Sequence, residues 1–368
     1  MKNHVKNIVV TLAISALFAV MFLACVLHKP VDISTSERRQ LAQFPTLTWA
    51  DILDGKNIEE FEDYTLDQFP MRDTFRSIKA WVQFNIFRQK DNNDIYVVDG
   101  SVSKLEYPLN DTMVQYAMDH WKAIYDKNLA NTDAKVYYSV VPDKNYFMAE
   151  ENGYLAMDYE KMIAQLNQGI DYMTYINIMD CLEIGDYYKT DSHWSQDKIL
   201  DVVDRLASAM GVRDKLSFEF TENQLSPFYG VYHGQSALAL TPDTITYLTN
   251  DVIEAASVFN FETQKTTAVY DLERFSGTDP YDVFLSGASA YLVIENPNAT
   301  EERELVIFRD SFGSSLTPLL IEGYSKITVL DTRYIMSQML GNVVDFSTVD
   351  DVLFIYSTAI INNSTALR

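Results

Sequence analysis

Leu305-Val306-Ile307-Phe308-Arg309-Asp310-Ser311-Phe312 drives an unbroken apolar run into a polar turn. A short, wholly apolar run of this kind reads as a strand buried on both faces, the pattern of a parallel sheet covered by helices. A helical pattern follows over Ser314–Ile321, which puts Ser311 on a strand-to-helix turn. Gly313 permits a close approach there, and N–H groups at the helix start are placed to stabilise a developing oxyanion. The turn works like a Gly-x-Ser-x-Gly elbow without having that sequence. A serine hydroxyl is a weak nucleophile until a base takes its proton, and that base needs a carboxylate to fix its tautomer. Far upstream, Thr190-Asp191-Ser192-His193-Trp194-Ser195 offers both groups two positions apart. The chain thus holds Asp191, His193 and Ser311 in that order, and acyl-group chemistry is the expectation. The plainer reading makes Asp191 a turn cap, His193 a satisfied surface group and Ser311 an ordinary N-cap.

Outward from Ser311, short β-rich runs alternate with helical ones. Lys135–Val141, Met173–Ile178, Glu304–Phe308, Lys326–Leu330 and Asp351–Tyr356 read as strands, and Asp94–Gly100 as a strand entering a turn. Met113–Leu129, Tyr159–Gln168, Ser195–Met210 and Arg333–Leu340 read as helices. In the third, Ser195 is the N-cap, Ile199 to Met210 supply a buried stripe, and Gly211 ends it. His193 then lies just before a helix, at the sheet edge where α/β folds gather reactive groups. Between about 212 and 297 the rhythm shifts to short strands such as Thr244–Leu248 and Thr266–Leu272, an antiparallel insertion expected to wall the crevice. Ahead of the main domain, apolar positions from Ile58 to Phe87 recur at helical spacing and break at Pro70, giving two amphipathic helices. Ser34–Pro45 reads as a stalk and Pro45–Trp49 as a docking segment. The expected class is α/β, three layers around a mostly parallel sheet, with 1–29 as tip and membrane anchor, 30–93 as stalk and lead-in, and 94–368 as the main domain.

The 368 residues are 47% hydrophobic and 13% aromatic, enough for a sizeable core. A formal charge of −23 argues against a nucleic-acid partner, since phosphate binding needs a basic footprint. Lys2 and Lys6 precede an apolar run from Ile8 to Leu27. The run is long enough to span a bilayer, with the positive end inside and the remainder exported. It exceeds a signal-peptide core and has no convincing Ala-x-Ala site, so it reads as an uncleaved anchor. Phe22-Leu23-Ala24-Cys25 is a poor lipoprotein cleavage site because of Phe22. Cys25 lies in the anchor, so no disulfide is expected in the exported part, where Cys181 reads as a small buried hydrophobe. The sequence contains no CxxC or HExxH, and its five histidines lack metal-ligand spacing, so neither metal nor cofactor is expected.

The paired motifs carry a resemblance. Thr-Asp-x-His-Trp-Ser followed by a distant Asp-Ser-Phe resembles the SGNH-hydrolase-like polysaccharide O-acetyltransferases, which include alginate O-acetylation proteins and DHHW proteins. The lead-in segments Ser36–Pro45 and Asp67–Asp73 are similar to that group's, as are Val141-Pro142-Asp143-Lys144, Tyr281–Gly287 and Asp331–Tyr334. The resemblance implies an SGNH-like domain with Ser311 as nucleophile, His193 as general base and then acid, and Asp191 as orienter. It also implies acetyl transfer to a cell-surface or secreted polysaccharide outside the cytoplasmic membrane. A multi-pass membrane acyltransferase would supply the acetyl group. The group often has Gly where Arg309 stands, and its oxyanion donors are a Gly and an Asn. Gly287 is the candidate for the first and Asn145 for the second. Lys144 is a candidate contact for sugar or oxyanion, its plainer reading being a solvated loop lysine. His233, in the aromatic segment Tyr229–Gly234, suits stacking on sugar and is the rival base; its plainer reading is a loop histidine. Arg333 reads as a structural ion-pair member. An esterase with the same triad, or a non-catalytic polysaccharide-binding or assembly factor, remains open.

Overall fold

The computed structural model describes residues 2–46 and 48–368. Met1, at the expected tip, and Leu47, within Pro45–Trp49, lie outside the described residues, as do the side chains of Lys2 and Asn3. The chain divides into two units, Met1–Gln89 with Gly234–Ala239, and Lys90–His233 with Leu240–Arg368.

In the first unit, helix α1 (Lys2–Leu27) contains an exposed apolar stretch, His4–Leu27, of 24 residues. At 1.5 Å per residue it is about 36 Å long, sufficient to cross a bilayer. Helices α2 (Lys56–Asp67) and α3 (Arg72–Asn85) flank Pro70, as the pattern predicts. The two polar lead-in segments meet here. Arg39 donates to both oxygens of Asp67 at 2.7 and 2.6 Å, Glu37 pairs with Arg72 and Arg76, and Ser36 donates to Asp73. That part of the sequence signature builds the lead-in.

The second unit is three-layered. After the hairpin β1 (Ile95–Val98) and β2 (Ser101–Lys104) come helix α4 (Asp111–Asn128), strand β3 (Lys135–Val141), the short helix α5 (Lys144–Met148), helix α6 (Tyr159–Gly169) and strand β4 (Thr174–Tyr175). Helix α7 (Leu200–Met210) precedes a second hairpin, β5 (Thr221–Phe228) and β6 (Asp243–Thr249). The remaining strands are β7 (Ser257–Asn260), β8 (Lys265–Thr267), β9 (Tyr291–Glu295), β10 (Glu304–Arg309), β11 (Lys326–Leu330) and β12 (Asp351–Ser357), with helix α8 (Phe312–Leu316) after β10. The large sheet has the order β8-β7-β9-β11-β10-β12-β3-β4. From β11 to β4 every pairing is parallel; from β8 to β11 every pairing is antiparallel.

Alternating residues of the central strands feed two cores. Leu305, Ile307, Leu353 and Ile355 face Val202, Leu206 and Leu320 on one side. Val306, Phe308, Val352 and Phe354 face Trp121, Met162 and Leu166 on the other. Both faces of β10 are therefore covered, as the apolar run requires.

The departures from expectation have local causes. The 212–297 region is only partly an insertion, because β7, β8 and β9 extend the main sheet while β5 and β6 pair separately. The strand expected at Met173–Ile178 shrinks to Thr174–Tyr175, and the one at Thr266–Leu272 to Lys265–Thr267. Ser195 opens a 3₁₀ turn and makes no side-chain cap, so α7 begins at Leu200. After α8, Pro318 lacks an N–H, and the chain tightens to 3₁₀ over Thr317–Gly323. Arg333–Leu340 turns instead of coiling because Asp331 binds both the Arg333 backbone N–H and its guanidinium. Cys181, expected inside, is half-buried on a 3₁₀ turn.

Candidate active site

Strands β10 and β12 run side by side, and their C-terminal ends set Ser311. Asp310 is the fastener. One carboxylate oxygen accepts the Phe312 N–H at 3.0 Å and the other accepts the Ser357 N–H at 2.8 Å, while its carbonyl accepts the Gly313 N–H at 3.1 Å. Ser311 has φ −62° and ψ −22°, an unstrained helical geometry, unlike a strained nucleophile elbow. Arg309 still lies within β10, so that position needs no turn-forming glycine. Its fully buried side chain runs beneath the turn to the Gly287 carbonyl, 3.2 Å, and to Asp331, 3.5 Å. A Cβ on Gly313 would come within 2.6 Å of Arg309 Cβ, so the glycine permits the close approach of helix to strand.

The Asp191–His193 loop meets this turn from a distance of 118 residues in sequence. Ser311 Oγ is 2.7 Å from His193 Nε2, and His193 Nδ1 is 2.5 Å from Asp191 Oδ1. Asp191 is fully buried and also accepts the N–H groups of His193, 3.0 Å, and Val231, 2.8 Å. An ionised carboxylate only accepts, which makes Nδ1 the protonated nitrogen and leaves the Nε2 lone pair toward Ser311. The imidazole stacks on Tyr281, with centroids 3.9 Å apart and planes at 6°; Phe312 lies 5.0 Å from its centroid. Tyr281 and Trp194 both donate to Ser315 Oγ, at 2.7 and 2.9 Å, which ties the histidine's surroundings to α8. Ser311 is half-buried and His193 is 7% exposed, so the hydroxyl is reachable while the imidazole is shielded.

Several residues support this arrangement. Thr190 donates to Asp243 through N–H and hydroxyl, at 2.7 and 2.6 Å, and Lys189 N–H donates to the same carboxylate. Gly230 N–H donates to Thr190 Oγ1, and a side chain at Gly230 would overlap the Thr190 carbonyl and Asp191 Cβ. Tyr281 was visible in sequence only as part of a family-like segment. Asp243, Gly230 and Asp310 gave no local signal for their part in the site.

The remaining candidates have other engagements. Asn145 is fully buried, its amide oxygen accepting from Tyr96 OH at 2.9 Å and one amide N–H donating to the Leu155 carbonyl at 3.2 Å. Gly287 has φ +85° and donates its N–H to the Phe284 carbonyl at 3.0 Å, which removes it as an oxyanion donor. The N–H groups of Phe312, Gly313 and Ser314 bond to Asp310 and Ser311, so the helix start does not offer them to an oxyanion. Lys144 is not a solvated loop lysine: it is 1% exposed, its ammonium bonded to backbone carbonyls, and burial lowers its pKa to about 7. His233 donates its backbone N–H to Thr190 and packs its ring on Tyr229, 4.7 Å between centroids; the imidazole facing Ser311 is His193. Among the described residues no group of three His, Cys, Asp or Glu is placed to hold a metal.

A sequence model of the DHHW protein family matches residues 89–330, well over half the chain. No curated protein matches it. Among solved structures, a DHHW family protein from Eubacterium siraeum superposes with a TM-score of 0.61 at 20% identity, covering 76% of this chain and 97% of its own. PatB1 of Bacillus cereus superposes at 0.58 with 17% identity, covering 73% and 97%, and a further PatB1 structure carrying a sulfonyl adduct superposes at 0.57 with 16% identity over the same shares. At these identities the likeness shows the fold, the expected SGNH-like α/β/α architecture.

Proposed function

The chain belongs to the DHHW protein family, and from that premise we propose that it is an extracytoplasmic O-acetyltransferase that moves an acetyl group through Ser311 to a hydroxyl of a cell-surface or secreted polysaccharide. The observation that carries this reading is the relay Asp191–His193–Ser311, with 2.5 and 2.7 Å between successive polar atoms. His193 Nε2 takes the Ser311 proton as Oγ attacks the acetyl carbonyl, and Asp191 stabilises the resulting imidazolium. The imidazolium then gives its proton to the departing group, leaving acetyl-Ser311. A sugar hydroxyl attacks this ester, His193 takes its proton, and collapse returns that proton to Ser311 Oγ.

Helix α1 would hold the domain at the membrane, beside a multi-pass acyltransferase that delivers acetyl groups across the bilayer. Tethering alone raises the effective concentration of the two partners. An esterase is the second reading, favoured by the partial exposure of Ser311, since water admitted to the ester would hydrolyse it.

The test uses full-length protein in detergent with an acetyl-ester donor and an oligosaccharide. Acetylated sugar supports the transferase, and acetate alone supports the esterase. Ser311→Ala should abolish both products. If it leaves cell-surface acetylation unchanged while deletion of the domain abolishes it, the protein is a binding or assembly factor.

A further inference from the structure

Lys144 occupies an unfavourable place for a cation. It is 1% exposed and opens α5, where the helix dipole opposes positive charge. Its ammonium donates to three carbonyls, Tyr188 at 2.7 Å, Lys189 at 3.0 Å and Asp191 at 3.1 Å. Three N–H donors thus meet three acceptors, all on the segment that leads into Asp191 and His193. We propose that Lys144 is a positioning residue whose protonated amine fastens the 188–191 backbone so that His193 faces Ser311, and whose deprotonation sets an alkaline limit on acylation. This inference rests on the reading of Ser311 as nucleophile. A neutral amine has two N–H groups and a lone pair, so one carbonyl loses its donor and the loop loosens.

The groups facing the amine come from several elements. Asp191 on its own loop and Asp243 at the start of β6 favour the charged form, and the Tyr232 ring lies 5.7 Å away. Asp143, which caps α5, spends its carboxylate on Thr358, Tyr159 and the Asn145 N–H. Burial outweighs the attractions and brings the amine from 10.5 to about 7. A lowered folded-state pKa gives a stability contribution that is full above 10.5 and is lost as pH falls through about 7. On this group's account, raising the pH above neutrality does not weaken the fold. It removes a donor from the loop, and a rate that falls while the melting temperature holds is the signature.

The experiment follows sulfonylation of full-length protein in detergent by phenylmethylsulfonyl fluoride, read by intact mass from about pH 5 to about pH 10, a range that brackets the amine at about 7. The melting temperature is measured alongside. The wild type should show a falling limb above neutral pH with no matching fall in melting temperature. Lys144→Met should lack that limb and react about 10²-fold more slowly at the wild-type optimum, the scale of a small misplacement of reacting groups. A wild-type rate flat to the alkaline end, a melting temperature that falls with the rate, or a folded Lys144→Met that keeps the limb would overturn the assignment. If Lys144→Met does not fold, the wild-type profile decides. Ser311→Ala separates the two claims. If it reacts like the wild type, the nucleophile is wrong, whereas an inert Ser311→Ala beside a flat wild-type profile removes only the role of Lys144.

Discussion

Asp191 accepts from the backbone N–H groups of His193 and Val231 and from His193 Nδ1 while wholly excluded from water, and the last of these bonds fixes the proton of His193. Asp191→Asn should keep the fold and cut burst-phase acylation by about 10⁴-fold, the cost of presenting the wrong imidazole tautomer. An unchanged burst amplitude and rate would remove the relay from the mechanism. Tyr281 separates two contributions. Tyr281→Phe keeps the stack on His193 and loses the bond to Ser315, so it should cost about 1 kcal/mol in urea unfolding and leave the rate nearly intact. Tyr281→Ala removes the stack too, and both rate and stability should fall. The three groups that the fold brings together were legible from sequence because Asp-x-His and a serine after an apolar strand need only local spacing. The residues that hold them were not. Asp243 and Gly230 act on Thr190 from 53 and 40 positions away, and such partnerships exist only after folding.

Among the elements, the segments that cradle the loop are tightest at Gly230, where an added methyl meets backbone instead of a flexible side chain. Gly230→Ala should therefore destabilise the protein by about 1–3 kcal/mol and lower acylation by more than the lost folded fraction explains, checked by melting temperature and burst kinetics together. Asp331→Ala tests the support beneath the turn. It strips the buried Arg309 of its ion-pair partner, and leaving one charge uncompensated costs about 3–5 kcal/mol in chemical denaturation. Buried strands were readable in sequence because β10 and β12 are largely apolar on both faces, whereas helix limits were not. Pro318 diverts α8, and Asp331 bends the chain that periodicity assigned to a helix. Strand β9 falls within the expected insertion, and nothing in Tyr291–Glu295 reveals that its neighbours will be β7 and β11.

At the level of the whole molecule, α1 is long and apolar enough to cross a membrane. Deleting residues 1–29 should shift the protein from the membrane fraction to the soluble one, with ester turnover per molecule unchanged and surface acetylation in cells reduced. Retention in the membrane fraction would point to a second attachment. The sheet has a temporal consequence as well. Ser311 and His193 are 118 residues apart in sequence, and the turn that carries the serine is anchored to Ser357, near the end of the chain. A chain that has not yet added β12 lacks the backbone N–H of Ser357 that holds Asp310 beside the serine. On the proposed reading, hydroxyl and imidazole meet in working order only once β12 has joined the sheet beside β10.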